Sequence, residues 1–187
     1  MSANAKEAIL AAARSMAQAH GYGGLNFRDL AASVGIKSAS LYYHFPSKAD
    51  LGAAVARRYW EDTAAQLDAM AAETPDPLAC LRRYPEVFRK ALASGNRMCL
   101  CSFMAAEYDD LPEPVKQEVR TFADVNIAWL ARLLGAAGVV AESEAEGRAR
   151  AIYAAVAGAQ LIARSRADLA LYDRLMEDYR AAGLLPH

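Results

Sequence analysis

No stretch of this 187-residue chain alternates apolar and polar residues as a half-buried β-strand does. Apolar side chains recur instead every three or four positions from end to end, with alanine very frequent. That period belongs to helices packed by one face. An all-α fold is expected. Glycine and proline cut the pattern at "HGYGGLN" (20–26), "VGIKS" (34–38), "FPSKAD" (45–50), "ETPDPL" (73–78), "SGN" (94–96), "DDLPEP" (109–114), "GAAGVVAESEAEG" (135–147) and "AAGLLPH" (181–187). About nine helices fit between these breaks.

An apolar content of 55% is enough for a real core. No uninterrupted apolar run approaches the ~18–20 residues that cross a bilayer, so no membrane role is expected. The N-terminal MSANAKEAIL lacks a basic region followed by an apolar one, and the three cysteines form no disulfide framework. A reducing, cytoplasmic setting is expected. There is no nucleotide-binding glycine fingerprint, no G-x-S-x-G and no H-E-x-x-H, so neither an enzyme nor a cofactor is expected. Cys99 and Cys101 stand two apart, which points them in different directions on a helix, and no histidine is near in sequence. No metal site is expected. The net charge of −1 hides an asymmetry. Residues 1–50 carry five Lys/Arg against three acids, and the remainder carries sixteen against nineteen. A slightly basic head on an acidic body hints at a polyanionic partner for the head.

That head holds two short helical segments joined by a tight turn at Gly35, with Asn26 placed to cap the first and Ser38 the second. Leu30, Ala31, Val34, Ile36 and Leu41 form a small apolar seam. Pro46 stops the second helix, and Ser47 caps a long one that starts at Lys48 and runs towards Ala72. The outward face of the second helix is Lys37, Ser38, Ser40, Tyr42, Tyr43 and His44, with no carboxylate. Such a face suits double-stranded DNA: lysine and hydroxyls for phosphates, small side chains for close approach to a major groove. Phe45 reads as core.

The run "NFRDLAASVGIKSASLYYHFPSKADLGAAV" resembles the N-terminal DNA-binding domain of TetR-family transcriptional regulators, on Phe27–Ala31, Val34-Gly35, Ser40–Phe45 and Lys48. The likeness covers about residues 5–55. It implies a head over 1–47, a ligand-sensing and dimerisation domain over 48–187, and a homodimer. It also implies a repressor released from operator DNA by an inducer. By that resemblance Arg28, Lys37, Ser38, Ser40, Tyr42, Tyr43, His44 and Lys48 contact DNA. Asn26 stands where Thr or Ser is usual.

The last two long helices are expected to form the dimer interface. In 147–166, Ile152, Val156, Ala159 and Ala163 form the expected stripe, with Ala155, Gly158 and Ile162 beside it. In 167–183 the face is Leu171, Leu175 and Tyr179. A small apolar inducer is expected among Arg97, Met98, Cys99, Phe103, Met104 and Tyr108, joined by Tyr84, Phe88, Phe122, Asn126 and Trp129. The stretch "MCLCSFMAAEYDDLP" also resembles the sensing domain of the N-ethylmaleimide-responsive repressor group. That likeness implies an electrophile- or oxidant-sensing role for Cys99, with Leu100, Ala106, Glu107, Asp110 and Leu111 completing the match. Cys99 near a helix start and after Arg97 fits a reactive thiolate. A packed, unreactive thiol and a ligand-lining one are the other two readings. An all-helical adaptor without specific DNA binding is the alternative function.

Overall fold

The computed structural model describes residues 2–186, with side chains from residue 4 onward. The described chain is helical: α1 (Ser2–His20), α2 (Phe27–Val34), α3 (Ser38–His44), α4 (Lys48–Glu73), α5 (Pro77–Arg83), α6 (Glu86–Ala93), α7 (Leu100–Ala106), α8 (Glu113–Ala136), α9 (Glu142–Ser165) and α10 (Leu169–Ala181), with one 3-10 turn at Tyr108–Asp110. The all-α expectation holds. α5 and α6 are one helical run interrupted at Tyr84-Pro85, where proline supplies no N–H to continue the ladder. No helix among the described residues is long and apolar enough to cross a membrane.

The chain divides into two compact units, one of residues up to Glu61 with Leu100–Phe122, the other of Asp62–Cys99 with the residues from Ala123 on. The expected head, 1–47, lies inside the first. There α1 buries Ile9, Ala13 and Ala17 completely, a face spaced by four as one helical stripe requires. Ala12 and Met16 beside that stripe are only half-buried. Leu30, Leu41, Leu51, Leu100, Met104 and Val115 complete this core, all fully buried. At roughly 1.5–3 kcal/mol for each buried aliphatic side chain, that layer is what holds the short helices in place. Within the same unit Glu118 of α8, 6% exposed, receives Arg57 Nη2 at 2.6 Å and Nε at 3.1 Å, and Trp60 Nε1 at 2.8 Å. Burial opposes its ionisation, but these three donors hold its carboxyl below the usual carboxylate range.

In the second unit, Asp76 caps α5 by accepting from Leu78 and Ala79, with Pro77 at the first helical position. α9 starts at Glu142, earlier than the expected 147, so only 137–141 remain as loop. Ala167 takes a left-handed φ of 49°, and Asp168 then caps α10 by accepting the Leu171 N–H at 2.9 Å. One expectation is corrected. Ile152, Val156, Ala159 and Ala163 are fully buried in their own chain. The apolar side of α9 left exposed is the neighbouring one, with Leu161 at 55% and Ile162 at 45%. A single apolar stripe does not tell whether its partner is the same chain or another.

Candidate nucleic-acid interface

α2 begins at Phe27 because Asn26 Oδ1 accepts the N–H groups of Arg28 (2.9 Å) and Asp29 (3.2 Å). It ends at Gly35, whose φ of 74° is left-handed. The Gly35 N–H bonds Ala32 O, and the Ile36 N–H bonds Ala31 O at 3.0 Å. This paired closure reverses the chain in two residues. Leu30, Ala31 and Leu41 then meet in the interior, as the seam requires. Val34 and Ile36, expected there too, are half-buried.

α3 starts one residue earlier than expected. Ser38 is its first helical residue, not its cap, and Lys37 precedes it with extended backbone and no side-chain capping bond. At seven residues the helix is about 10 Å long, short enough to lie in a major groove ~12 Å wide. Phe45 is buried and extended, and its N–H closes the helix on Leu41 O. Ser47 Oγ accepts the Asp50 N–H at 3.1 Å and donates to the Asp50 carboxylate at 2.7 Å, a reciprocal cap that starts α4.

These steps leave Lys37, Ser38, Ser40, Tyr42 and Tyr43 exposed on one short helix and its leading turn. Tyr43 is 82% exposed and Tyr42 54%. The Tyr42 ring rests against Phe27 with centroids 4.7 Å apart, and Tyr43 meets His44 edge-on. Arg28 is exposed beside Asp29. His44 and Lys48 are half-buried. Lys48 Nζ donates to Gly23 O at 2.9 Å and lies over the Tyr22 ring, so part of its hydrogen-bonding capacity serves the α1–α2 turn. Large aromatic side chains held this far in water contribute little to the core, whereas hydroxyls and cations on a carboxylate-free helix match phosphates and base edges.

Eleven residues are expected to sense an inducer. Phe103, Met104, Tyr108 and Phe122 belong to the first unit, and the other seven to the second. Tyr108 is 55% exposed under the Lys116 ammonium, and Arg97 is exposed, so neither lines an apolar interior. Tyr84, Phe88, Asn126 and Trp129 do come together. The Tyr84 hydroxyl donates to Asn126 Oδ1 at 3.0 Å, and its ring stacks on Trp129 and meets Phe88 edge-on. Burial pushes the Tyr84 hydroxyl well above its usual range. Gln160, completely buried, ties this cluster to the cysteine: its Nε2 donates to Phe88 O at 2.7 Å, and its Oε1 accepts the Cys99 N–H at 3.0 Å. Tyr172 donates to Pro85 O at 2.8 Å. Gln160 escapes sequence reasoning because a lone glutamine in an alanine-rich helix carries no signal of burial.

Cys99 immediately precedes α7, as a helix-start thiol would, but it is 2% exposed. Cys80 and Cys101 are buried thiols as well. Trp129 and Gln66 bury indole and amide nitrogens that have no hydrogen-bond partner among the described residues. Trp129 also borders a cleft of about 340 Å³ with Ala64, Leu67, Val125 and Ala128.

Residues 9–55 match the family described as bacterial regulatory proteins, tetR family. A TetR-family transcriptional regulator from Agrobacterium tumefaciens is 30% identical and superposes with a TM-score of 0.87 over 94% of this chain and 95% of its own. A TetR transcriptional regulator from Legionella pneumophila is 29% identical, with a TM-score of 0.88 over 95% and 96%. The reduced form of NemR from E. coli is 19% identical, with a TM-score of 0.85 over 95% and 96%, a likeness of fold alone. No curated protein matches the chain.

Proposed function

The chain belongs to the TetR family of bacterial regulatory proteins and is a DNA-binding transcriptional regulator, and from that premise we propose that it is a repressor released from its operator by a small apolar inducer. The observation that carries the DNA-reading role is the carboxylate-free face of α3, with Tyr43 82% exposed. In this reading Lys37, Ser38, Ser40, Tyr42, Tyr43 and His44 of one head enter a major groove, while Arg28 and Lys48 engage flanking phosphates. The head is residues 1–47, and residues 48–187 sense and dimerise.

Homodimers are typical of the family. We place this dimer on the exposed side of α9, at Leu161 and Ile162, together with α10. Changing both residues to glutamate then converts the dimer to a monomer in sedimentation equilibrium, and an unchanged dimer rules that face out.

Burial of Cys99 favours a non-covalent inducer over thiol modification, because the thiolate chemistry needs access to solvent. The unpaired nitrogens of Trp129 and Gln66 favour a ligand that carries a hydrogen-bond acceptor on an apolar body.

The test is fluorescence anisotropy on duplexes selected by the protein from a randomised pool, at two salt concentrations. Specific binding with two subunits per duplex is expected. Equal, salt-sensitive binding to selected and scrambled duplexes means phosphate attraction only, and returns the adaptor reading.

A further inference from the structure

The α1–α2 turn holds a carboxylate from far along the chain. Gly21 ends α1 in the left-handed region, with φ of 71°. The next two amides then point to the same side. Tyr22 N–H donates to Glu107 Oε2 at 2.6 Å and Gly23 N–H to Glu107 Oε1 at 3.0 Å. Consecutive amides after a left-handed residue form a concave anion-binding site. Glycine is needed for space as well as for φ. A Cβ on Gly21 would overlap the Glu107 carboxylate, and one on Gly23 would stand 3.2 Å from Oε1. Glu107 follows the last residue of α7, 84 positions from Gly23. The end of α1 is the negative pole of that helix and repels a carboxylate, so these two charge-assisted bonds are what keep Glu107 there.

The turn passes the constraint on. Gly23 gives its N–H to Glu107 and its C=O to Lys48 Nζ at 2.9 Å, which also sits over the Tyr22 ring at 4.8 Å. Lys48 is the first residue of α4, and Phe45, three residues earlier, anchors the end of α3 in the core. The path from Glu107 to the reading helix is therefore Glu107, Gly23, Lys48 and Phe45, all within the first unit.

We propose that Glu107 is a positioning residue for DNA recognition: its carboxylate fixes the α1–α2 turn, and through Lys48 the angle at which α3 is presented. This rests on the DNA-reading role of α3 proposed above. Glu107 itself touches no DNA, and a displacement of α7 reaches the head by loosening this grip.

The experiment compares wild type with Glu107→Ala in two measurements on the full chain. The first is affinity for the duplex that wild type selects from a randomised pool, across a salt series. Affinity falls about tenfold, as loss of a charged hydrogen bond allows, with an unchanged salt slope because no phosphate contact is removed. The second is amide hydrogen exchange. Protection is lost at Tyr22 and Gly23, and exchange quickens across residues 38–48. A folded variant that binds within about twofold of wild type, or whose exchange rises only at those two amides, overturns the proposal. A merely structural role lowers the melting temperature but leaves the affinity and the exchange of residues 38–48 unchanged. Should Glu107→Ala not fold, Glu107→Gln, which keeps one acceptor without the charge, gives a roughly threefold loss in the same assay. A wild type that selects no duplex defeats the DNA-reading role instead, and the exchange of residues 38–48 then decides the part played by Glu107.

Discussion

Tyr43 and Tyr84 are the same side chain put to opposite uses. Tyr43 stands 82% exposed on α3, its ring edge-on to the half-buried His44. Tyr84 is completely enclosed, stacked on Trp129, with its hydroxyl given to Asn126. Around Tyr84, Gln160 and Tyr172 also place their polar atoms on named partners inside the chain. The α3 face spends almost nothing internally, which keeps hydroxyls and cations available to an outside partner. The Tyr84 cluster spends nearly everything internally and so sets the shape of the second unit. Where a polar aromatic finds its partner tells whether it reads or supports.

The largest effect that can break this contrast is at Gln160. Gln160→Ala removes its bonds to the Cys99 N–H and the Phe88 carbonyl inside the chain, and costs about 3 kcal/mol in urea unfolding. A loss under about 1 kcal/mol would mean that water replaces the amide, and that the cluster is less closed than its geometry implies. Tyr43→Ala tests the other side. It lowers affinity for the selected duplex about tenfold, near 1.4 kcal/mol, while unfolding free energy stays within about 0.5 kcal/mol of wild type. A variant that unfolds readily instead would make Tyr43 a support residue and erase the distinction.

Glu118 sharpens the comparison at smaller amplitude, as a buried charge inside the head's own unit. Glu118→Gln weakens the bonds from Arg57 and Trp60 and costs about 1 kcal/mol at neutral pH. The folded pKa of Glu118 lies below the unfolded one, so its contribution is complete above the ordinary carboxylate range. It is lost as pH falls through the lowered value. Wild type and variant therefore converge in stability on acidification, and parallel curves down to low pH would remove the charge from the account.

How far the sequence could be read differs between the two regions for a physical reason. The helix-turn-helix is built from neighbours: Asn26 caps α2, Gly35 turns the chain, Pro46 stops α3 and Ser47 starts α4, each within a few residues of its effect. Local chemistry of that kind is written in order along the chain. Even there Ser38 moved from cap to first helical residue, a slip of one position that spacing alone does not resolve. Apolar and polarisable character, the main ground for expecting the sensing residues, does not separate a cavity wall from a core or from a surface. Tyr108 ended in solvent, Arg97 likewise, and Cys99 was enclosed.

The helical period, the breaks between helices and the polar, carboxylate-free face of α3 are legible along the chain, because each depends on residues at most a turn or two apart. Folding of the whole chain packs Ile152, Val156, Ala159 and Ala163 inside their own chain and joins Phe88 to Cys99 through Gln160. It alone brought Glu107 to the amides of Tyr22 and Gly23. Those pairings join residues more than sixty positions apart, and a buried amide or a gripped carboxylate leaves no mark in the local pattern until the backbone that satisfies it is in place.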